Sequence, residues 1–174
     1  MTVVFPEAVK AQGATNVLVI PSMADMDSPS LATDIGNAGT EDISNYLYGD
    51  FQPTSTTNKG EAPRRLGSTQ TFQQFGNTLY EVPDLTYVYD PTGTDAEANA
   101  AKDALDADAE VFLLIRRGHP IETAFAVGQV VDVWHVKLGP QNRGTTGDSE
   151  FDEYAITQSV VALEPPQLGV AIVT

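Results

Sequence analysis

His119 and His135 are the side chains of this sequence best suited to move a proton or hold a metal. They stand 16 residues apart, and neither has a second ligand at a recognised spacing. Asp25 and Asp27 begin like a calcium loop, in which alternate oxygens surround the ion. Pro29 then occupies the next ligand position, and no glycine or closing Glu follows, so the segment reads as a solvated acidic loop. Serines and aspartates are plentiful, yet no serine sits in the G-x-S-x-G elbow that would present a nucleophile for a Ser/His/Asp triad. Asp152 and Glu153 are neighbouring carboxylates. Adjacent residues of a strand point to opposite faces, so the two do not flank one glycosidic bond. Neither phosphate-cradling loop, G-x-x-x-x-G-K-[ST] or G-x-G-x-x-G, is present. Cysteine is absent, which removes disulfides, thiol nucleophiles and thiolate metal sites. The expectation is a protein with no catalytic residue, no metal and no cofactor.

The remaining chemistry is electrostatic. Nine Lys and Arg face 24 Asp and Glu, a net charge of −15. Nucleic-acid wrapping needs cations that displace phosphate counterions, and this charge opposes it. It suits a surface past which DNA slides without sticking, and it equally suits plain solubility. Four of the nine cations fall in two doublets, Arg64-Arg65 and Arg116-Arg117. Each doublet either binds acids on a partner, such as a copy of the same chain, or balances acids nearby. Trp134, the one tryptophan, is in register with Val130, Val136 and Leu138, which places its ring in a core; an exposed ring would instead mark a ligand footprint.

These side chains must be positioned by strands. A chain of 174 residues is expected to form one domain, 1–174, that buries roughly 70% of its unfolded surface. The first 22 residues hold one Lys and no long apolar run, and no run approaches 18 apolar residues. Neither a secretory signal nor a membrane anchor is expected. Residues 1–40 read as a strand over 16–20, stopped by Pro21, and then a loop or extended arm over 21–37. Residues 41–49 alternate Ile43, Asn45 and Leu47 against Ser44, Tyr46 and Tyr48, a two-sided strand. Residues 50–66 are polar, carry Pro53, Gly60 and Pro63, and read as a long functional loop. Residues 68–75, including Phe72, and 79–89 read as two strands of a hairpin around Gly76-Asn77, with Pro83 marking a break or an edge.

One helix is expected, over 94–107. Thr94 and Glu97 make a capping box, and Ala96, Ala100, Ala101, Ala104 and Leu105 share a face. Asp106, Asp108 and Glu110 oppose the helix dipole and should stop it near Ala107. Three strands follow. Residues 111–115 lack polar alternation and should be buried on both faces. Residues 129–138 carry Trp134, and 139–149 form a polar, Gly-rich turn. Residues 151–163 alternate Tyr154, Ile156, Gln158 and Val160 against Glu153, Ala155, Thr157, Ser159 and Val161. The second set is small and polar, fit to face water or a neighbouring subunit. Pro165-Pro166 ends that strand, and residues 169–173 offer a short last one.

The succession of these elements resembles a known family, the major tail tube proteins of long-tailed, non-contractile bacteriophages. The matching stretches are RRLGSTQTFQQFGNTLYEVPDLTYVYDP (64–91), TDAEANAAKDALDADAE (94–110), VFLLIRRG (111–118) and GQVVDVWHVKLGPQNRGTTGDSEFDEYAITQSVVALEPP (128–166). The resemblance implies a mainly β fold, a β-sandwich or barrel with one flanking α-helix and a long inter-ring loop, here 50–66. It implies a virion structural subunit, assembled in the host cytoplasm, whose hexameric rings stack into a hollow tube. Its partners would be itself and other tail proteins, with double-stranded DNA only as passing cargo during ejection. Lys59, Arg64 and Arg65 become candidate inter-ring contacts. Tyr46, Phe72, Glu153 and Thr157 become candidates for the lumen or for inter-subunit strands. The alternative function is a β-sandwich module that binds a receptor or glycan on a virion or cell surface.

Overall fold

Open β-strands carry rows of unpaired donors and acceptors, and most of this fold is a solution to that problem. The computed structural model describes residues 11–49, 51–67, 69–93 and 96–174. The first ten residues of the expected N-terminal arm, Asp50, Ser68 and Thr94 with its capping box lie outside the described residues.

The strands are β1 (Thr15–Ile20), β2 (Glu41–Asp42), β3 (Thr54–Glu61), β4 (Gln73–Glu81), β5 (Leu85–Val88), β6 (Glu110–Arg117), β7 (Val130–Thr145), β8 (Tyr154–Ala162) and β9 (Gln167–Ala171). Seven of them form one curled antiparallel sheet in the order β2–β1–β6–β7–β8–β5, with β9 also pairing β7. The fold is mainly β, a curled half-barrel with one short helix. β6 is buried on both faces, as its unbroken apolar run requires. Val17, Val19, Leu113, Ile115, Trp134, Val136, Leu138 and Ile156 line the inside of the curl, so Trp134 is a core residue. Leu18, Ile20, Leu114, Val131 and Val133 form a second cluster on the outer face.

Residues 41–48 close the curl. At one end the Ile43 N–H donates to the Val17 carbonyl at 3.0 Å, beside the two-residue pairing of β2 with β1. At the other end the Tyr48 N–H donates to the Thr86 carbonyl at 2.8 Å, and the Val88 N–H donates to the Tyr46 carbonyl at 2.9 Å. The segment therefore crosses from one edge of the sheet to the other. This corrects the expected strand over 41–49. Only Glu41–Asp42 pairs as a strand, because the chain must turn at Ile43 to Tyr46 to span the gap. Ile43 is fully buried by that crossing.

Residues 21–35 do not extend as an arm. They fold back over the outer cluster, where Met23, Met26, Leu31 and Ile35 pack. A π-helical turn, Leu31–Ile35, is capped by the Ser30 hydroxyl, and the Leu31 N–H donates to the Val173 carbonyl at 2.9 Å.

The helix is much shorter than its sequence face suggests. A 3₁₀ turn, Ala96–Asn99, leads into α1 (Ala100–Ala104). Asn99 exchanges two hydrogen bonds with the Asp90 backbone, at 3.1 and 2.9 Å, which fixes the entry. At the exit, Asp106 and Asp108 oppose the dipole, and Asp108 turns the chain at φ 64°. Two glutamine amides then cap the end. Gln141 Nε2 donates to the Lys102 and Leu105 carbonyls at 2.9 and 2.8 Å. The buried Gln158 donates to the Leu105 and Gly139 carbonyls at 3.1 and 2.7 Å and accepts from the Tyr87 hydroxyl at 3.1 Å.

Two expected turns are strand instead. Residues 139–145 continue β7, because β8 supplies a partner for each of Gln141 to Thr145. Gly139 and Pro140 form a bulge opposite Ser159. A Cβ at Gly139 would lie 2.7 Å from the Ser159 Oγ and 3.1 Å from its carbonyl oxygen, so a side chain there would push Ser159 aside. Gly76-Asn77 likewise sits inside β4, where two residues oppose Asn58 of β3. β8 begins at Tyr154, three residues later than expected, after a tight turn. β9 supplies the last strand and pairs with the start of β7.

Replacing Gln158 by Leu keeps the volume but removes the side-chain partner of the Tyr87 hydroxyl and of the Gly139 carbonyl, and leaves the Leu105 carbonyl only Gln141. Chemical denaturation should show a loss of about 3 kcal/mol, with Gln158→Glu also destabilising at neutral pH because a carboxylate cannot donate to the two carbonyls.

Candidate assembly surface

β3 and β4 pair only with each other, in a two-stranded sheet separate from the main one. This overturns the loop expected at 50–66. Its threonines favour a pleated strand, and β4 completes the pair that the 68–75 and 79–89 segments were expected to make together. Nearly every residue of the arm is solvent-exposed, on both faces. One face carries Ser55, Thr57, Lys59 and Glu61 opposite Tyr80, Thr78, Phe75 and Gln73. The other carries Thr54, Thr56 and Gly60 opposite Glu81, Leu79 and Gln74. Tyr80, near the root, packs on the inner core. Farther out Phe75 is 74% exposed, and the Lys59 ammonium lies over its ring at 5.7 Å. A lone two-stranded hairpin is marginal in water.

The tip of the arm holds Arg64, Arg65 and Leu66, all exposed, with Phe72 alongside. The arm from Thr54 to Glu81 contains three cations and two acids, a net +1 in a chain of net −15. Arg64, Arg65, Lys59 and Phe72, singled out from sequence, thus share one projecting element. Tyr46, Glu153 and Thr157 do not join them. The Tyr46 hydroxyl donates to the Glu97 carbonyl at 2.8 Å and its ring packs on the core. Thr157 faces outward on β8 in line with Ser159 and Val161, beside Thr86 of β5 with the two hydroxyls 3.3 Å apart.

Glu153 belongs to a second exposed element, the turn from β7 to β8. Asp148, Glu150, Asp152 and Glu153 crowd into it without a cation. Asp152 folds the turn by accepting from the Ser149 N–H and from the Thr146 hydroxyl, and those bonds hold its carboxyl below the usual range. Glu153 accepts from the Tyr48 hydroxyl and so ties the turn to the closing segment. Burial, then the Glu153 hydrogen bond, pushes the Tyr48 phenol up to about 12. Phe151 and Tyr154 remain 84% and 60% exposed.

The second arginine doublet corrects the sequence reading. Adjacent strand residues face opposite ways, and Arg116 is fully buried on the outer face. Its guanidinium donates to Asn16 Oδ1 at 2.7 Å, to the Thr123 and Ala124 carbonyls at 2.6 and 3.1 Å and to Gln129 Oε1 at 3.0 Å. Phe125 stacks on it at 4.0 Å. Burial lowers its pKa, with the Asp42 charge opposing. Arg116 is the pin of the loop before β7, and nothing in a doublet at a strand end distinguishes a buried arginine from an exposed one. Arg117 pairs with Asp132. His135 stacks on Phe112 and bonds Glu164 through Nδ1 at 2.7 Å. Among the described residues, no three His, Asp or Glu side chains gather as a metal site requires.

Limited trypsin digestion of the unassembled subunit should cut first after Arg64 or Arg65, and self-association should protect that site. In an alkaline titration of tyrosinate absorbance, Tyr48 should ionise near 12 and Tyr48→Phe should remove that step. The phenol is favoured by the fold, so its contribution to stability is intact below the ordinary value of about 10 and fades as the pH climbs toward 12.

A family model described as phage tail tube protein matches residues 3–174. No curated protein matches the chain.

Proposed function

The chain belongs to the phage tail tube protein family, and from that premise we propose that its copies close six to a ring and that rings stack head to tail into a hollow conduit. The family places the protein in the virion tail as a structural component that assembles with itself and with other tail proteins. Its role is generally structural rather than enzymatic. No helix among the described residues is long and apolar enough to cross a membrane.

The exposed hairpin carries the assembly reading. Two strands with water on both faces and apolar Phe72, Phe75 and Leu79 on the surface are incomplete as a monomer. Covering them with a neighbouring copy satisfies the edges and buries the side chains. A contact between different patches on successive copies repeats without closing, which is how a filament grows. Lys59, Arg64 and Arg65 serve as inter-ring contacts in this reading, with residues 1–174 acting as one tail-tube domain.

The conduit wall is assigned to the outer face of β5 and β8. Thr86, Thr157, Ser159 and Val161 are small, and they lie beyond the outer cluster that residues 21–35 cover. Glu153 sits at the end of the same strand direction, and Tyr46 supports the strand edge from inside. A wall of uncharged side chains without cations, with Glu153 at its end, gives DNA phosphates nothing to bind and lets the genome pass during ejection. The lack of cysteine suits assembly in a reducing host cytoplasm.

Purified protein at high concentration should form rings and tubes by negative-stain electron microscopy. Replacing Thr54–Glu81 by a short Gly-Ser linker should leave a folded subunit that builds no tubes. Tubes of unchanged length in that variant would refute the stacking role of the hairpin. Thr157→Lys should leave tubes intact and slow genome release from assembled particles, with added salt restoring the rate.

A further inference from the structure

We propose that the arginine tip of the hairpin in one copy seats on the β7–β8 turn of a copy in the next layer, with Arg64 and Arg65 against Asp148 and Glu150, and Leu66 against Phe151. The inference rests on the stacked-tube reading and names the partner surface within it.

The root of the hairpin and the β7–β8 turn lie at opposite ends of β8. The root of the hairpin borders one end. Gln52, Pro53, Thr54 and Ser55 share a cavity with Asp132 and Trp134 near the start of β7, and Leu79 to Asp84 share a groove with Val160, Val161 and Ala162 at the end of β8. The β7–β8 turn is at the other end. From the turn before Tyr154 to the groove at Val161 is about seven residues of β8, roughly 23 Å at about 3.3 Å per residue. A basic element rooted at one pole and an acidic turn at the other fit a head-to-tail contact between copies.

The free charges match in number. Of the four acids in the turn, Asp152 is consumed in folding it and Glu153 is held by Tyr48. Asp148 and Glu150 remain exposed, directly before Phe151. On the hairpin, Arg64 and Arg65 are exposed, directly before Leu66, whose relative exposure is 107%. Each surface thus offers two like charges followed by one large apolar side chain, with opposite sign. The remaining cation of the arm, Lys59, is engaged over Phe75. The turn is also braced, since Asp152 and the Tyr48 contact hold it in one shape and little conformational freedom must be lost on docking. A single exposed ion pair is weak, but pairs repeated around a ring act together.

The absence of native cysteine makes a direct test available. A Leu66→Cys, Phe151→Cys variant, oxidised after assembly, should give a ladder of crosslinked copies, and each single variant should give at most dimers. In parallel, Arg64→Glu with Arg65→Glu, and separately Asp148→Arg with Glu150→Arg, should each lower the assembled fraction by about tenfold. Combining all four changes should restore it to within about twofold. Circular dichroism and thermal melting confirm that each subunit is folded. Wild-type tubes with neither ladder nor rescue would overturn this pairing and leave the tube reading standing. A wild-type protein that makes no tubes and no ladder would overturn both.

Discussion

Every backbone donor and acceptor along a strand needs a partner, and the body of this protein meets that demand by curling its sheet until one short segment bridges both edges. Residues 41–48 hydrogen-bond to Val17 on one side and to Thr86 and Val88 on the other. The curl then has an inside, filled by Trp134, Leu113, Ile115 and their neighbours, and plugged by the single turn of α1. Without the bridge, β1 and β5 would present open edges and Ile43 would have nothing to fill.

The same demand is left unmet in the hairpin. Its two strands pair with each other, and their outer edges have no partner strand among the described residues. The contrast divides the molecule into a self-sufficient body and an element suited to another copy. The charge distribution follows the division, with an arm of net +1 on a chain of net −15. Three of the nine cations lie in the arm, and the second arginine doublet is withdrawn from the surface around it. Arg116 is sealed beneath Phe125 and Arg117 is bound to Asp132.

Buried polar groups settle details that the apolar core leaves free. Gln141 and Gln158 cap the end of α1 with side-chain amides, where two aspartates work against the helix dipole. Arg116 gathers two carbonyls and two side-chain amides into one cluster and so holds the 123–129 loop against β1. Each network joins residues far apart in the chain, and each is costly to leave half-made.

Apolar periodicity is local information, and it determined the strands over 16–20 and 111–115, the core position of Trp134 and the outward set of Thr157, Ser159 and Val161, while Pro83 marked the break. The family was legible as well, in the order of elements after residue 64. Pairing is not local. Whether Thr54–Glu61 is a loop or a strand depends on β4 lying alongside, and a polar, threonine-rich run does not announce its partner. Residues 139–145 look like a turn until β8 extends them, and residues 41–48 look like a strand until the curl makes them a bridge. A helical face of alanines reads as a helix over 94–107, but a 3₁₀ turn takes Ala96–Asn99 and α1 only Ala100–Ala104, with acids at its end opposing the dipole. Arg116 shows the limit most sharply: one residue from an exposed arginine, it is buried because strand neighbours face opposite ways and only the assembled fold decides which face is covered.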